Sequence, residues 1–277
     1  MKFIVIILAL LTYQTLYVNT AFSASAEEKS AEVIHNAKPF EEWLAELRED
    51  AASQGISTKT LNDAFENIEL LDIVVSLDRK QPEAKITLEE YLEKTVTNSR
   101  IKNGQIELSE NKELLDNIAK KYAVPANVIV ALWGMETSYG ENTGSFDIIE
   151  ALTTLAYDGR RSEFFRGELI NALKIMETEK MPVDDFQGSW AGAFGQCQFM
   201  PTSFLKYAVD FDGDGKRDIW YTQGDVFASI ANYLHSEGWN ADENIKEDNN
   251  NFKVLLKWNR SRYFATAIGK LVEAIKE

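Results

Sequence analysis

The chain has 277 residues, with 29 Lys and Arg against 44 Asp and Glu, a formal charge of −15. Apolar residues make up 45% and charged residues 26%. That is ordinary globular usage and excludes wholesale disorder, while the acidic balance speaks against nucleic-acid binding, which needs clustered Lys and Arg. One cysteine excludes an intrachain disulfide or a CxxC site, and two histidines, His35 and His235, leave little for a triad or a zinc site. Any catalysis is therefore expected to rest on carboxylates.

Met1 to Ala26 reads as a secretory signal peptide: Lys2, the apolar run Phe3 to Leu11, and the small-residue cleavage site Ala24-Ser25-Ala26. The run is too short to span a bilayer, and no Cys follows it for lipid attachment. The expected mature protein is periplasmic or secreted, with no membrane anchor after cleavage. From Phe40 onward the pattern is helical, with Phe40, Trp43, Leu44 and Leu47 on one face. Ala64 to Leu77 and Thr87 to Val96 continue in that style, with a turn at Gln81-Pro82-Glu83 and a break at Asn103-Gly104. Helices are expected over Lys112 to Tyr122, Pro125 to Met135, Ser162 to Glu179, Pro201 to Ala208, Asp225 to Glu237 and Tyr263 to Lys276. Residues 186–199 read as Gly-rich and irregular, and 252–258 alternate weakly. The expected fold class is mainly α.

Glu136 is the most unusual residue. It lies seven after Ile129, four after Leu132 and three after Trp133, so in a helix it shares a face with them. A carboxyl on an apolar inward face is poorly solvated when charged. Its pKa rises, and it stays protonated near neutrality, as a general acid must. The alternative is a Glu at a helix end, turned to solvent or paired with an Arg. A second oddity is Gly188-Ser-Trp-Ala-Gly-Ala-Phe-Gly-Gln-Cys-Gln-Phe-Met-Pro201, where glycines punctuate hydroxyl, amide and aromatic side chains. It can line a sugar groove or form a structural turn.

Asp210, Asp212 and Asp214 stand at positions 1, 3 and 5 of an acidic loop with Gly215 at position 6. That is the start of an EF-hand calcium loop. Lys216 at position 7 offers its carbonyl and Asp218 stands at position 9, but position 12 is Tyr221 rather than Glu. The alternative is a solvated acidic turn.

Trp133-Gly-Met-Glu-Thr-Ser-Tyr-Gly140 resembles the catalytic motif of the lytic transglycosylase B family, and the 188–204 segment is similar to that family's glycan-groove motif. The resemblance extends to Asp78-Arg-Lys-Gln-Pro-Glu83 with Tyr91, to Arg160-Arg-Ser-Glu-Phe-Phe165, to Asn232-Tyr-Leu-His-Ser-Glu-Gly-Trp239 and to Trp258-Asn-Arg-Ser-Arg-Tyr263. It covers roughly residues 40 to 270 in one order. It implies a lysozyme-like catalytic core over 105–277, containing the calcium-type loop at 210–225, preceded by a helical lobe at 27–104. It further implies Glu136 as the lone catalytic acid and base. Ser189, Gln198, Tyr233 and Asn259 match groove residues, and Tyr91, Arg160 and Arg161 match residues near the glycan or its peptide stem. Asp225 matches a closing calcium ligand in a loop longer than the standard one. Three positions depart from the family: Phe264 stands for a Tyr, Phe164 where relatives carry Tyr, and Cys197 where a small or hydroxyl residue is common.

The implied activity is non-hydrolytic cleavage of peptidoglycan between N-acetylmuramic acid and N-acetylglucosamine, with 1,6-anhydromuramoyl ends. The chemistry needs no cofactor, and the calcium is structural. The implied partners are peptidoglycan glycan strands, with cell-wall enzyme complexes as further associates. Two rivals stay open. One is a hydrolase of the same fold with Glu141 or Asp147 as second carboxylate. The other is a non-catalytic peptidoglycan-binding scaffold.

Overall fold

The structure, a computed structural model, describes residues 38–80 and 86–276. The expected signal peptide and the Gln81-Pro82-Glu83 turn lie outside them. Among the described residues there are thirteen α-helices: α1 (Phe40–Ser53), α2 (Thr58–Phe65), α3 (Asp72–Arg79), α4 (Leu88–Thr95), α5 (Asn98–Glu110), α6 (Lys112–Tyr122), α7 (Ala126–Thr137), α8 (Ile148–Asp158), α9 (Ser162–Glu179), α10 (Pro201–Tyr207), α11 (Gln223–Ser236), α12 (Asn250–Trp258) and α13 (Arg262–Ala274). The described strands β1 (Phe146–Asp147) and β2 (Gln187–Gly188) form one antiparallel pair. The chain is mainly α, as expected. No helix among the described residues is long and apolar enough to cross a membrane.

The chain divides into two units interleaved in sequence. One comprises the described residues of Pro82–Asn142 and Tyr207–Glu277, the other those of Ala26–Gln81 and Thr143–Lys206. In the first unit, α7 is the central helix. It is buried from Val128 to Thr137 and packed by α5, α6, α11 and α13. A helix apolar on all sides belongs in the middle of its unit rather than on its edge. In the second unit, α8 and α9 form the principal pair, with α3 on α8 and α2 on α9. Here Phe40, Trp43 and Tyr157 form an aromatic cluster, and Tyr157 Oη donates to Lys38 O at 2.7 Å.

Several elements differ from the sequence expectation. The stretch 64–77 is not one helix. α2 starts early because Ser57 Oγ accepts from Thr60 N, and α3 begins after Leu71, whose N–H donates to Thr154 Oγ1 at 3.0 Å. Asn103-Gly104 is no break: both lie inside α5, as does residue 105, so the expected lobe boundary falls within a helix. Gly104 is there for close packing. A Cβ would come within 2.5 Å of Ile275 and 2.6 Å of the Tyr139 hydroxyl. Residues 252–258 form α12 rather than a strand-like segment, because Asn249 caps it by accepting from Phe252 N at 3.0 Å.

Candidate active site

Glu136 is the penultimate residue of α7 and is 2% exposed. The helix stops directly after it. Ser138 (φ 52°), Tyr139 (φ 64°) and Gly140 (φ 85°) are all left-handed, a conformation that turns the chain sharply back. The reversal lays the Tyr139 ring on Gly134, where a Cβ would lie 2.4 Å from Tyr139 Cζ. The Tyr139 hydroxyl donates to Arg100 O at 2.6 Å, and Gly140 N donates to Thr137 Oγ1 at 3.0 Å. Gly134 thus admits a side chain of this chain itself, and the end of α7 is pinned from two sides.

One carboxylate oxygen of Glu136, Oε1, accepts from Trp258 Nε1 at 2.7 Å. The other, Oε2, is buried with no hydrogen-bond partner. Burial pushes the pKa from an ordinary 4.5 up to about 8, against the opposing pull of the Trp258 N–H. The carboxyl therefore holds its proton at neutral pH. Trp258 ends α12, and Tyr233 of α11 meets it edge-on at 4.6 Å. Tyr91 of α4 is buried. Its pKa is pushed up to about 12 by burial, with the charge of Glu136 adding to the shift. Asn259 follows α12. Its Oδ1 accepts from Ser261 N at 3.0 Å, and its buried Nδ2 has no partner. Glu136, Tyr91, Tyr233 and Asn259 belong to one unit. Glu141 is exposed just beyond the helix end, and Phe264 is buried.

Ser189, Gln198, Arg160 and Arg161 belong to the other unit. The 188–199 segment is a tight double turn. Ser189 N donates to Ala193 O at 2.7 Å, and Ser189 Oγ accepts from Ala193 N at 3.0 Å. Phe194 and Phe199 pair through their backbones, and Phe194 packs on Phe186. Gly144 lies against the Gly188 carbonyl, so a Cβ there would meet backbone at 2.2 Å. Gln198, at φ 49°, donates from Nε2 to Thr143 O and Gly195 O, and its Oε1 is buried without a partner. Cys197 is fully buried. Arg160 grips Asp78 through Nε and Nη2, the latter 2.7 Å from Oδ1, and Arg161 Nη2 donates to the same oxygen. Phe164 is exposed one turn into α9. Asp147 accepts from Glu150 N at 2.9 Å as the N-cap of α8, an ordinary structural task.

The acidic loop lies in the unit of Glu136. Carboxylate oxygens of Asp210, Asp212 and Asp214 lie within 4.8 Å of one another, a spacing that suits a hard cation. Asp210 accepts from Gly213 N and Gly215 N, which folds the loop around its carboxylate. Asp225 closes the loop. Its two oxygens accept from Phe211 N and Asp218 N, each at 2.7 Å. Asp218 accepts from Trp220 N and Tyr221 N at 2.9 Å.

No local spacing in the sequence marks Trp258 or Asp78 for a role. Both stood inside quoted motifs, but their partners lie 122 and 82 residues away, beyond any local spacing.

The model of the SLT_2 family, the transglycosylase SLT domain, matches residues 39–250. The chain is 38% identical over 150 residues to membrane-bound lytic murein transglycosylase B of Escherichia coli, an alignment that covers 54% of this chain and 41% of that protein. It thus spans less than half the length of that relative. It is similar to the crystal structure of SltB3 from Pseudomonas aeruginosa in complex with NAG-anhNAM-pentapeptide, with a TM-score of 0.82 and 34% identity over 86% of this chain and 80% of that one. It is also similar to the Escherichia coli lytic transglycosylase SLT35 in complex with calcium, with a TM-score of 0.75 and 25% identity over 86% and 93% of the two chains. These likenesses carry the lysozyme-like fold, and the match over residues 39–250 makes this chain a member of the transglycosylase SLT domain family.

Proposed function

We propose that this protein is a peptidoglycan lytic transglycosylase. It cleaves the β-1,4 bond between N-acetylmuramic acid and N-acetylglucosamine and leaves a 1,6-anhydromuramoyl end. The observation that carries the reading is the state of Glu136: buried, neutral near pH 7, one oxygen held by an indole and the other without a protein partner. Family membership supports the same reaction class.

An ordinary glycosidase uses two carboxyl groups, one as acid and one as nucleophile or base. Here the substrate supplies the nucleophile. Glu136 gives its proton to the glycosidic oxygen, and the C1–O bond breaks with its electron pair on that oxygen. The positive charge left at C1 is spread onto the muramoyl N-acetyl group. The ionised Glu136 then takes the proton of the C6 hydroxyl as O6 bonds to C1. Glu136 ends protonated and no water is consumed. A carboxyl with a pKa of about 8 suits both halves, as a ready acid at neutrality and a strong base once ionised.

Tyr91, Tyr233 and Asn259 are assigned to sugar contacts beside Glu136. The unpaired Asn259 Nδ2 is a donor that awaits an acceptor. Ser189, Gln198, Arg160 and Arg161 are assigned to glycan and stem-peptide contacts on the strength of family resemblance. The unpaired Gln198 Oε1 and Arg161 Nε fit that role. Asp210, Asp212, Asp214, the Lys216 carbonyl, Asp218 and Asp225 are assigned to a structural Ca2+. The convergence of three carboxylates supports the site, and the calcium complex of SLT35 supports the metal. A signal peptide ending at Ala26 delivers the protein to the periplasm, where peptidoglycan lies.

The test is mass spectrometry of purified peptidoglycan digested by the wild type and by Glu136→Gln. Muramoyl ends one water lighter than hydrolysed ones, present with the wild type and absent with the variant, are expected. Reducing muramic acid ends would replace transglycosylation by hydrolysis. Glycan binding without any release would leave a scaffold.

A further inference from the structure

We propose that Trp258 is a positioning residue that decides which oxygen of Glu136 carries the catalytic proton. The proposal rests on the reading of Glu136 as acid and base. An indole N–H donates and cannot accept. Oε1 lies 2.7 Å from it and is therefore an acceptor in every protonation state. If the carboxyl turned over, the indole N–H would meet a hydroxyl oxygen, a weaker acceptor than the carbonyl oxygen, and the hydrogen bond would weaken in a buried site. The proton therefore resides on Oε2, the oxygen that is buried and has no protein partner. Oε2 gives this proton to the glycosidic oxygen, which keeps the electron pair of the broken C1–O bond. It regains a proton from the C6 hydroxyl when O6 bonds to C1. Trp258 N–H stays on Oε1 throughout and steadies the ionised form between the two transfers.

Trp258 is itself fixed by a closed chain of contacts within the same unit. Tyr233 stands edge-on to it at 4.6 Å, and Tyr207 lies 4.4 Å beyond Tyr233. The Tyr207 hydroxyl donates to Glu237, and Glu237 pairs at 3.0 Å with Lys257, the neighbour of Trp258 in the chain. This ring of partners holds the indole in one rotamer, as a positioning group requires.

Charged groups named on the helices packed against α7 have partners of their own, and Tyr91 of α4 also feels the charge of Glu136. Arg100 of α5 donates to Thr95 O and lies near Ser138, and Glu107 is bonded to Asn111. On α6, Lys112 pairs with Asp116 and Lys121 lies over Tyr122 and Phe211. On α11, Asp225 is bonded within the acidic loop. On α13, Arg262 pairs with Glu247 and Asp248.

Two replacements test the proposal. Trp258→Phe removes the N–H and part of the ring. Incorporation of benzothienylalanine at 258 puts sulfur in place of the N–H and keeps the shape, which guards against a folding defect. The expected result is a fall in kcat of about tenfold with KM changed less than about twofold. The alkaline limb of the kcat profile moves up by about one pH unit, because a donor to the ionised form is lost. The carbon-13 resonance of the Glu136 carboxyl shifts its titration upward by the same amount. An unmoved carboxyl titration in the benzothienylalanine protein would overturn the proposal whatever the activity. A moved titration in a protein whose wild type yields hydrolysed ends would leave Trp258 in its role and remove the transglycosylase reading.

Discussion

Glu136 and Asp78 are equally hidden carboxylates in different units, 2% and 1% exposed, yet their surroundings are opposite. Asp78 is met by two guanidiniums, Arg160 through two donors and Arg161 through one. Its charge is compensated in place, and its task is to hold those arginines. Glu136 is met by one neutral N–H, and half of its carboxyl has no partner. The cheaper state for such a group is the protonated one. Glu168 falls between them. It is buried, and burial raises its pKa, but Thr202 N donates to it at 2.9 Å and opposes the rise. Pairing, more than burial, separates an anchoring carboxylate from one poised to give a proton.

The largest effect expected from breaking this contrast is on activity. Glu136→Gln keeps the size and removes the proton, so release of muramoyl ends should fall about 10³-fold or more, measured by product release from purified cell wall. Next comes the pH dependence of stability. The folded pKa of Glu136 is raised, from 4.5 to about 8. The stability it contributes is therefore full below pH 4.5 and is lost as pH rises through about 8. The upper limit of that loss is on the order of 5 kcal/mol. Urea unfolding should show Glu136→Gln gaining on the wild type across that window and running parallel to it on either side.

Asp78→Asn attacks the other side of the contrast. It leaves Arg161, which is largely buried, without its counter-ion, and should cost about 3 kcal/mol in urea unfolding. Arg160 is half exposed and contributes less of that. The smallest effect is expected at the acidic loop. Chelation of calcium should lower stability by about 1 kcal/mol, seen as a small drop in Tm. Asp214→Asn should abolish the calcium dependence of Tm.

Much of this was legible in the sequence where the pattern was amphipathic. Lys112 to Tyr122 and Ser162 to Glu179 are helices with the expected ends. The apolar neighbours of Glu136 pointed inward against the open alternative of a helix end turned to solvent, and α7 is buried all round rather than on one face. α8 gave no helical period, because every residue from Ile148 to Asp158 except Glu150 is buried. α5 was obscured by Gly104, which reads as a breaker but serves close packing. The acidic loop was visible as three spaced aspartates, whereas the use of Asp225 oxygens to hold the Phe211 and Asp218 amides was not. Pairings over long sequence distances, Trp258 with Glu136 and Asp78 with Arg160, leave no periodic trace. They appear only once the chain is folded.

If a single buried carboxyl suffices because the substrate provides the nucleophile, no oxygen from solvent enters the product. The direct measurement is digestion of peptidoglycan in water labelled with heavy oxygen, followed by mass spectrometry of the released muramoyl ends. Ends that carry no heavy oxygen and are one water lighter than muramic acid are expected. Heavy oxygen at the new muramoyl end would show that water, not the C6 hydroxyl, attacks.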